Sequence, residues 1–317
     1  MRDSGRLQEI ARDGLLVPAW AVDAGWSRAS VFRALKTEGW ARLGGGVWAQ
    51  PGAPPDFAIR LRAVQLLTPE LVASHRAAAW AWGIELLAVE AEFTDLGGWR
   101  RRSGLRVHRG VLGAGEVVEM RGHGGLRATT VDRTLADLLV SGPRDEALVA
   151  VESALTYRTV TVGGGGGGRR VRRAPLTRVG ALASALDGRP HGGVRGRAWL
   201  TLADPASGSP AETVARLRMY DAGLRPETQA ELVGAGGRGL RCDFLFRAEG
   251  VAVEIEGYAY HGRREDHRRD VGRFNDLQQC AEVRIVLRFT AEEVFHSPAT
   301  MIATIRRALG VSGRQAG

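Results

Sequence analysis

Apolar positions recur at helical spacing from the start of the chain. Leu7, Ile10, Ala11, Leu15 and Leu16 fall on one face of a 3.6-residue repeat. A second helix is expected over Pro18–Ala24, ending at Gly25. A third begins behind the N-cap Ser27, with Val31, Ala34 and Leu35 as its apolar stripe and Gly39 as its stop. ARLGGGVWAQ then reads as strand, glycine turn and strand. Further along, helical patterns cover Phe57–Leu67 and Leu71–Trp82. Short alternating runs follow (VEAEFTDLG, LRVHRG, EVVEM, LRATTV), then helices at Asp132–Leu139 and about Arg144–Leu155. The last third predicts a helix at Ala211–Ala222 and strands around Gln229–Val233, Leu240–Phe246 and Val251–Glu256. A helix at Arg264–Ala281, a strand at Val283–Phe289 and a helix at Pro298–Leu309 complete it.

These patterns divide the chain into four parts. Residues 1–55 run helix, helix–turn–helix, hairpin, the order of a winged helix-turn-helix, closed by Gln50-Pro51-Gly52 with Pro54 and Pro55. Residues 56–157 read as a small α/β domain. Gly163–Gly168 followed by RRVRR interrupts it, and no packed element is expected across six glycines. Residues 158–206 therefore read as a Gly/Arg-rich flexible insertion and linker, with one short helix at Val179–Leu186. Residues 207–311, in the order αβββαβα, predict an α/β sheet covered by helices.

Composition narrows the function classes. Of 317 residues 44% are hydrophobic, enough for a sizeable core, so wholesale disorder is excluded. No long uncharged run predicts a membrane span, and MRDSGRLQEIARD lacks the apolar stretch of a signal peptide; a cytoplasmic protein without a membrane partner is expected. Two cysteines, Cys242 and Cys280, exclude a disulfide framework and read as packing residues. The net charge of +9 predicts a polyanionic partner. Lys36 is the only lysine among 44 basic residues, a skew expected of GC-rich codons, so part of the arginine content carries no function. The excess is local: Arg158–Arg197 holds nine arginines and one acid, Asp187.

The acids of the last domain carry the candidate chemistry. Asp243 stands between Cys242 and Phe244, so period-two alternation turns it away from the apolar face; Glu254 and Glu256, two apart, share a face. Three carboxylates on neighbouring apolar strands are costly unless a positive group joins them. That group is either a divalent cation such as Mg²⁺, which prefers carboxylate oxygens, or a salt-bridge partner among Arg241, Arg247 and Arg288.

The run RCDFLFRAEGVAVEIEGYAYH, followed by Asp270 and Arg273 and then VLRFT, resembles the family called domain of unknown function 559. That family is similar to the very-short-patch-repair endonucleases of the PD-(D/E)XK superfamily. The resemblance covers residues 207–311 and implies a restriction-endonuclease-like αβββαβ domain. It implies Asp243 and Glu254 as metal ligands, Glu212 of SPAET as the helix-borne acid, and His261 as the repair-nuclease histidine. The superfamily lysine is absent; Glu256 holds its slot, which leaves His261 to transfer the proton.

Residues 10–52, from IARDGLLVPAW to GVWAQPG, resemble the winged-helix domain of AbiEi-type antitoxins, which are transcriptional autorepressors; SHRAAAWAWGI and TTVDRTLADLL resemble segments that follow it. The resemblance implies a third helix in the major groove, with Arg28, Ser30, Arg33 and Lys36 facing DNA. Two functions follow as expectations. One is a Mg²⁺-dependent DNA endonuclease or nickase, with a methyltransferase as cognate partner; the other is an antitoxin-like repressor with a catalytically inactive nuclease-like domain, paired with a toxin. His75 and the Asp270/Arg273 pair read more simply, as a satisfied helix histidine and a surface ion pair.

Overall fold

The computed structural model describes residues 6–52, 54–97, 105–162, 169–187, 189, 192–234, 237–256, 272 and 274–310. The protein is mixed α/β, as expected. By its contacts it parts into two units, Met1–Ile84 with Ala88–Leu138, and Glu85–Leu87 with Leu139–Gly317.

The first unit opens with α1 (Arg6–Ile10), β1 (Leu15–Leu16), α2 (Pro18–Asp23), α3 (Arg28–Thr37), β2 (Ala41–Gly44) and β3 (Val47–Ala49). The apolar periodicity read as one helix through Leu16 breaks, because Asp13 and Gly14 turn through positive φ (48° and 78°). Leu15 and Leu16 pair instead with Ala49 and Trp48, giving the sheet order β1-β3-β2. The Ser27 cap forms as expected: its Oγ accepts the Ser30 N–H at 3.1 Å. Val31 and Leu35 are buried with Leu7, Leu16, Ala21 and Trp40.

The rest of this unit comprises α4 (Phe57–Leu67), β4 (Leu71–Ala73), α5 (His75–Ala81), β5 (Glu92–Asp95), β6 (Arg106–Arg109), β7 (Val117–Met120), β8 (Leu126–Thr129) and the part of α6 (Val131–Ser141) up to Leu138. The strand order is β6-β5-β4-β8-β7. Leu71–Ala73, expected to begin a helix, is the central strand. All three residues are buried, as a strand covered on both faces requires.

At the end of β4 the chain turns sharply into α5 through His75, whose φ is 48°. The His75 ring is buried and stacks on His108 at 3.6 Å, with Nδ1 2.9 Å from Ser74 Oγ. Beside it the buried Glu92 carboxylate accepts the Arg76 N–H at 2.9 Å and lies 3.5 Å from His108 Nε2. Burial and the neighbouring His108 push the His75 pKa down from 6.5 to about 3. Because the folded value lies below the unfolded one, this stability is present above about pH 6.5 and is lost as pH falls toward 3. The melting temperature of the wild type should therefore fall faster than that of His75→Asn between about pH 6.5 and 4. Parallel slopes in pH-dependent melts would show that His75 is not buried neutral.

The second unit contains α7 (Arg144–Leu155), β9 (Arg158–Val162), β10 (Arg169–Arg173), α8 (Val179–Asp187) and α9 (Gly193–Leu200). It continues with α10 (Pro210–Asp221), β11 (Glu227–Val233), β12 (Gly239–Phe246), β13 (Val251–Glu256), a helical stretch α11 (274–278), β14 (Ile285–Thr290), α12 (Ala291–His296) and α13 (Pro298–Ala308). The sheet order is β11-β12-β13-β14, antiparallel except for the parallel β13–β14 pair. Most of the helix expected at Arg264–Ala281 lies outside the described residues, as do Asp270 and Arg273.

Two expectations change here. Helix α7, read from sequence with the 56–157 part, belongs to this unit: Val149 joins the core of Val214, Ala215, Phe244, Val253 and Met301. Residues 158–206 are not a linker. Antiparallel β9 and β10 form a hairpin around the six glycines, which lie outside the described residues, and two helices follow. Helix α9 arises where glycines suggested loose chain. A Cβ at Gly196 would stand 2.9 Å from Leu186 Cδ2 and 3.4 Å from Leu139 Cβ, so its missing side chain lets α9 pack closely.

Helices α7 and α10 are joined by a buried ion pair. Arg216, fully buried, donates to Glu152, also fully buried, and through Nη1 to the Leu202 carbonyl at 2.7 Å. Glu152 further accepts the Thr213 hydroxyl at 2.6 Å and the Asp204 N–H at 2.9 Å. Replacing Glu152 with leucine should destabilise this unit by about 3–5 kcal/mol, since it strands a buried guanidinium. The joint Glu152→Leu/Arg216→Met variant should recover much of that loss in urea unfolding. Additive losses would mean the two side chains act independently.

Candidate functional site

The acids gather where the strands of the second unit part. The β12–β13 ladder runs from Phe246↔Val251 to Phe244↔Val253 and stops there. At the next position side chains take over as acceptors: Ile255 N–H donates to Asp243 Oδ2 at 2.8 Å, and Asp243 N–H to Glu254 Oε1 at 3.2 Å. On the other side, β11 pairs Thr228 with Phe244 and Ala230 with Cys242 but leaves out Gln229. Gln229 is held at a φ of 51°, a conformation that costs a non-glycine residue about 1–3 kcal/mol. The turn sends its amide to two carboxylates at once, Glu212 Oε2 at 2.8 Å and Asp243 Oδ1 at 3.1 Å.

Glu212 comes to this point from the first turn of α10. Ser209 caps the helix by accepting the Glu212 N–H at 3.2 Å, and its hydroxyl donates back to Glu212 Oε1 at 2.9 Å. The Gly208 N–H adds a third donor, to Oε2 at 2.7 Å. A Cβ at Gly208 would meet both Glu212 oxygens at 2.9 and 3.0 Å, so only glycine admits this approach. Burial first, and then the charge of Asp243, push the Glu212 carboxyl above the usual carboxylate range. Glu212, Gln229 and Asp243 line a cavity of about 340 Å³ with Gly208, Leu240 and Arg241.

The predicted residues thus separate. Glu212, Asp243 and Glu254 are brought together. Glu256 is taken by Arg288, whose Nη2 lies 2.6 Å from its carboxylate and whose guanidinium covers Phe274 at 4.9 Å. Arg247 is engaged by Glu227 and Glu282. His261 lies outside the described residues. Alternation does not explain Asp243, because both faces of the sheet are apolar: Cys242 and Leu245 pack in one cluster, Phe244 and Phe246 in the other. Its accessibility comes from the parting of the strands. Gln229 was missed, because a glutamine in the strand ETQAELV carries no signal until its left-handed backbone is seen.

On α3 the residues expected to face DNA divide as well. Arg28, Arg33 and Lys36 are exposed, and none makes an ion pair among the described residues. The Ser30 hydroxyl lies 2.8 Å from Ser27 Oγ, which ties it to the helix cap. Phe32 is exposed beside them, edge-on to Trp48 at 6.5 Å.

No protein-family model matches this chain. The chain is similar to two proteins of Mycobacterium tuberculosis, uncharacterized protein MT2308 (strain CDC 1551 / Oshkosh) and uncharacterized protein Rv2248 (strain ATCC 25618 / H37Rv). Each is 29% identical over 279 residues, 87% of this chain and 94% of the relative. That span exceeds either unit, so the similarity passes from one into the other.

Among the described residues no three His, Cys, Asp or Glu side chains converge on one point. Mg²⁺ nevertheless needs only one or two carboxylates and keeps several waters. Glu212 and Asp243, crowded around one neutral amide, are hard oxygen donors of that kind, with Glu254 beside them. The donor set fits a divalent cation. Mg²⁺ or Mn²⁺ should then raise the melting temperature of the wild type, by about 2.7 kcal/mol of added stability at a hundredfold excess over Kd. Asp243→Asn should abolish that rise. An equal shift in both proteins would place the cation elsewhere.

Proposed function

We propose that this protein binds double-stranded DNA and hydrolyses its phosphodiesters as a Mg²⁺-dependent endonuclease or nickase. The observation that carries the reading is the convergence of Glu212 and Asp243, from a helix and a strand, on the single Gln229 amide. Held there, the two carboxyl groups lie within reach of one cation. Asp243 and Glu212 would hold the cation through their carboxylates and retained waters, with Glu254 beside them. When bound, it would polarise the phosphate and lower the pKa of a water. Gln229 would position both carboxylates, and His261 would transfer the proton. The order α1, β1, α2, α3, β2, β3 in residues 1–55 supports a winged-helix reading, and exposed Arg28, Arg33 and Lys36 on α3 suit phosphate and base contacts.

One observation favours a second reading. Glu256, in the slot of the superfamily's catalytic lysine, is bound to Arg288 instead of lying free for chemistry. A nuclease-like domain that only binds, in an antitoxin-like repressor, would tolerate that arrangement. The enzyme reading implies a methyltransferase as cognate partner, and the repressor reading implies a toxin.

The two readings separate on supercoiled plasmid. The enzyme should nick it with Mg²⁺ or Mn²⁺ and not with EDTA, and Asp243→Ala and His261→Ala should each lower the rate at least about a hundredfold. Equal background in all three proteins, with DNA binding intact, would leave the repressor reading. Arg33→Ala should relax sequence preference by about 1–3 kcal/mol at one position. Undetectable or salt-insensitive binding at about 50 mM salt would sink the DNA reading itself.

A further inference from the structure

The β9–β10 hairpin is a two-stranded sheet that pairs with no other strand among the described residues. Its register sets Arg158 opposite Arg173, Thr159 opposite Arg172, Thr161 opposite Arg170 and Val162 opposite Arg169. Neither strand contains an acid. Isolated two-stranded hairpins are marginal in water, and like charges directly opposite each other weaken them further. A ribbon of this composition is therefore at its most stable when a polyanion lies along it.

The root of the hairpin fixes where that polyanion would run. Arg158 is held by the carbonyls of Ser207 and Gly208 and by Glu85, at 3.2 Å from the last. Gly208 is the residue whose N–H holds Glu212 and whose backbone lines the acidic cavity. Across the ribbon, Arg173 Nη2 donates to the Ser153 carbonyl at 2.9 Å. The next arginine, Arg172, is exposed, with its guanidinium 4.4 Å over the exposed Tyr157 ring. The two root arginines are thus committed to anchoring. The arginines beyond them in β10 are Arg172, Arg170 and Arg169.

We infer that the β9–β10 hairpin is a nucleic-acid arm, gripping duplex DNA through its phosphates beside the acidic cavity, independently of the α3 face. A two-stranded ribbon fits the major groove of B-form DNA, about 12 Å wide, whereas the deep, narrow major groove of A-form RNA does not admit side chains for reading. The inference rests on the proposed DNA-binding function and names the element by which the second unit holds that substrate. Arginine supplies the grip, because its planar fork pairs with phosphate bidentately.

The test uses the full-length protein and a duplex of random sequence. Arg169→Gln/Arg170→Gln/Arg172→Gln should weaken binding alike for every duplex sequence. It should also lower the log–log salt slope by about 2 to 3, since each phosphate neutralised by an arginine contributes about 0.9 to that slope. Arg172→Glu alone, at an exposed position, should weaken binding at least about tenfold and serves if the triple variant misfolds. An unchanged affinity and slope in a folded variant would overturn the arm while leaving wild-type DNA binding, and so the proposed function, intact. Loss of duplex-RNA binding with DNA binding unaffected would overturn it in favour of RNA. A wild type that binds no duplex at all would remove both.

Discussion

The second unit depends on a fully buried charge pair. Arg216 and Glu152 are both fully buried; the Leu202 carbonyl accepts from Arg216 Nη1, and the Thr213 hydroxyl and the Asp204 N–H donate to Glu152, while Arg216 Nε is buried without a hydrogen-bond partner among the described residues. Such a pair contributes little net stability against a well-packed apolar alternative, because desolvation offsets the attraction. Its value lies in specification. Arg216 and Thr213 are on α10, Glu152 is on α7, and the loop of Leu202 and Asp204 leads into Ser209, so one unpaired charge would result from any other seating of these elements. Burial raises the Glu152 carboxyl above the usual carboxylate range, and Arg216, Thr213 and the Asp204 N–H offset part of that rise.

The position of Glu212 follows from that constraint. It stands one turn before Arg216 on α10, so the seating of Arg216 sets the depth at which the first turn of the helix enters the sheet. The Ser209 cap and the Gly208 N–H then fix the carboxylate. An acid that would otherwise point to solvent is presented to Asp243 at a cost that burial and like charge both raise.

Much of this architecture was legible in the chain. Strand β13 appears with the limits its apolar run predicts, and Ser27 and Gly39 bracket α3 as their capping chemistry requires. The failures share a cause. Leu71–Ala73 and Leu15–Leu16 carry apolar side chains that suit either period, and only pairing with β8 and β3 decides for strand. The segments flanking Gly163–Gly168 pair with each other, which the sequence could not say, because hairpin pairing is a contact between them and not a property of either. At the site, Asp243 and Glu254 were readable as acids in apolar strands. Gln229 was not, since its role depends on one backbone angle. Nor could the sequence assign Glu256 to Arg288 over Arg241 or Arg247, all of them within reach of the same sheet.

The unfavourable features of the second unit carry opposite signs and meet at one loop. Glu212 and Asp243 crowd two negative charges around a neutral amide, and Gln229 accepts a strained backbone to provide it. A few residues away, Arg158 opposes Arg173, whose guanidinium is pushed down by burial and by the Arg158 charge. Gly208 touches both groups, through its N–H to Glu212 and its carbonyl to Arg158. The acids gather at the cavity while the arginines continue along the ribbon. Repulsion left in place at a cavity is the usual signature of a site kept for a ligand at the expense of stability. Under the proposed function both repulsions would be answered by one ligand, a phosphodiester with its divalent counter-ion, the carboxylates meeting the cation and the guanidinium groups the anion; on that proposal the acidic cavity and the arginine ribbon act as one surface.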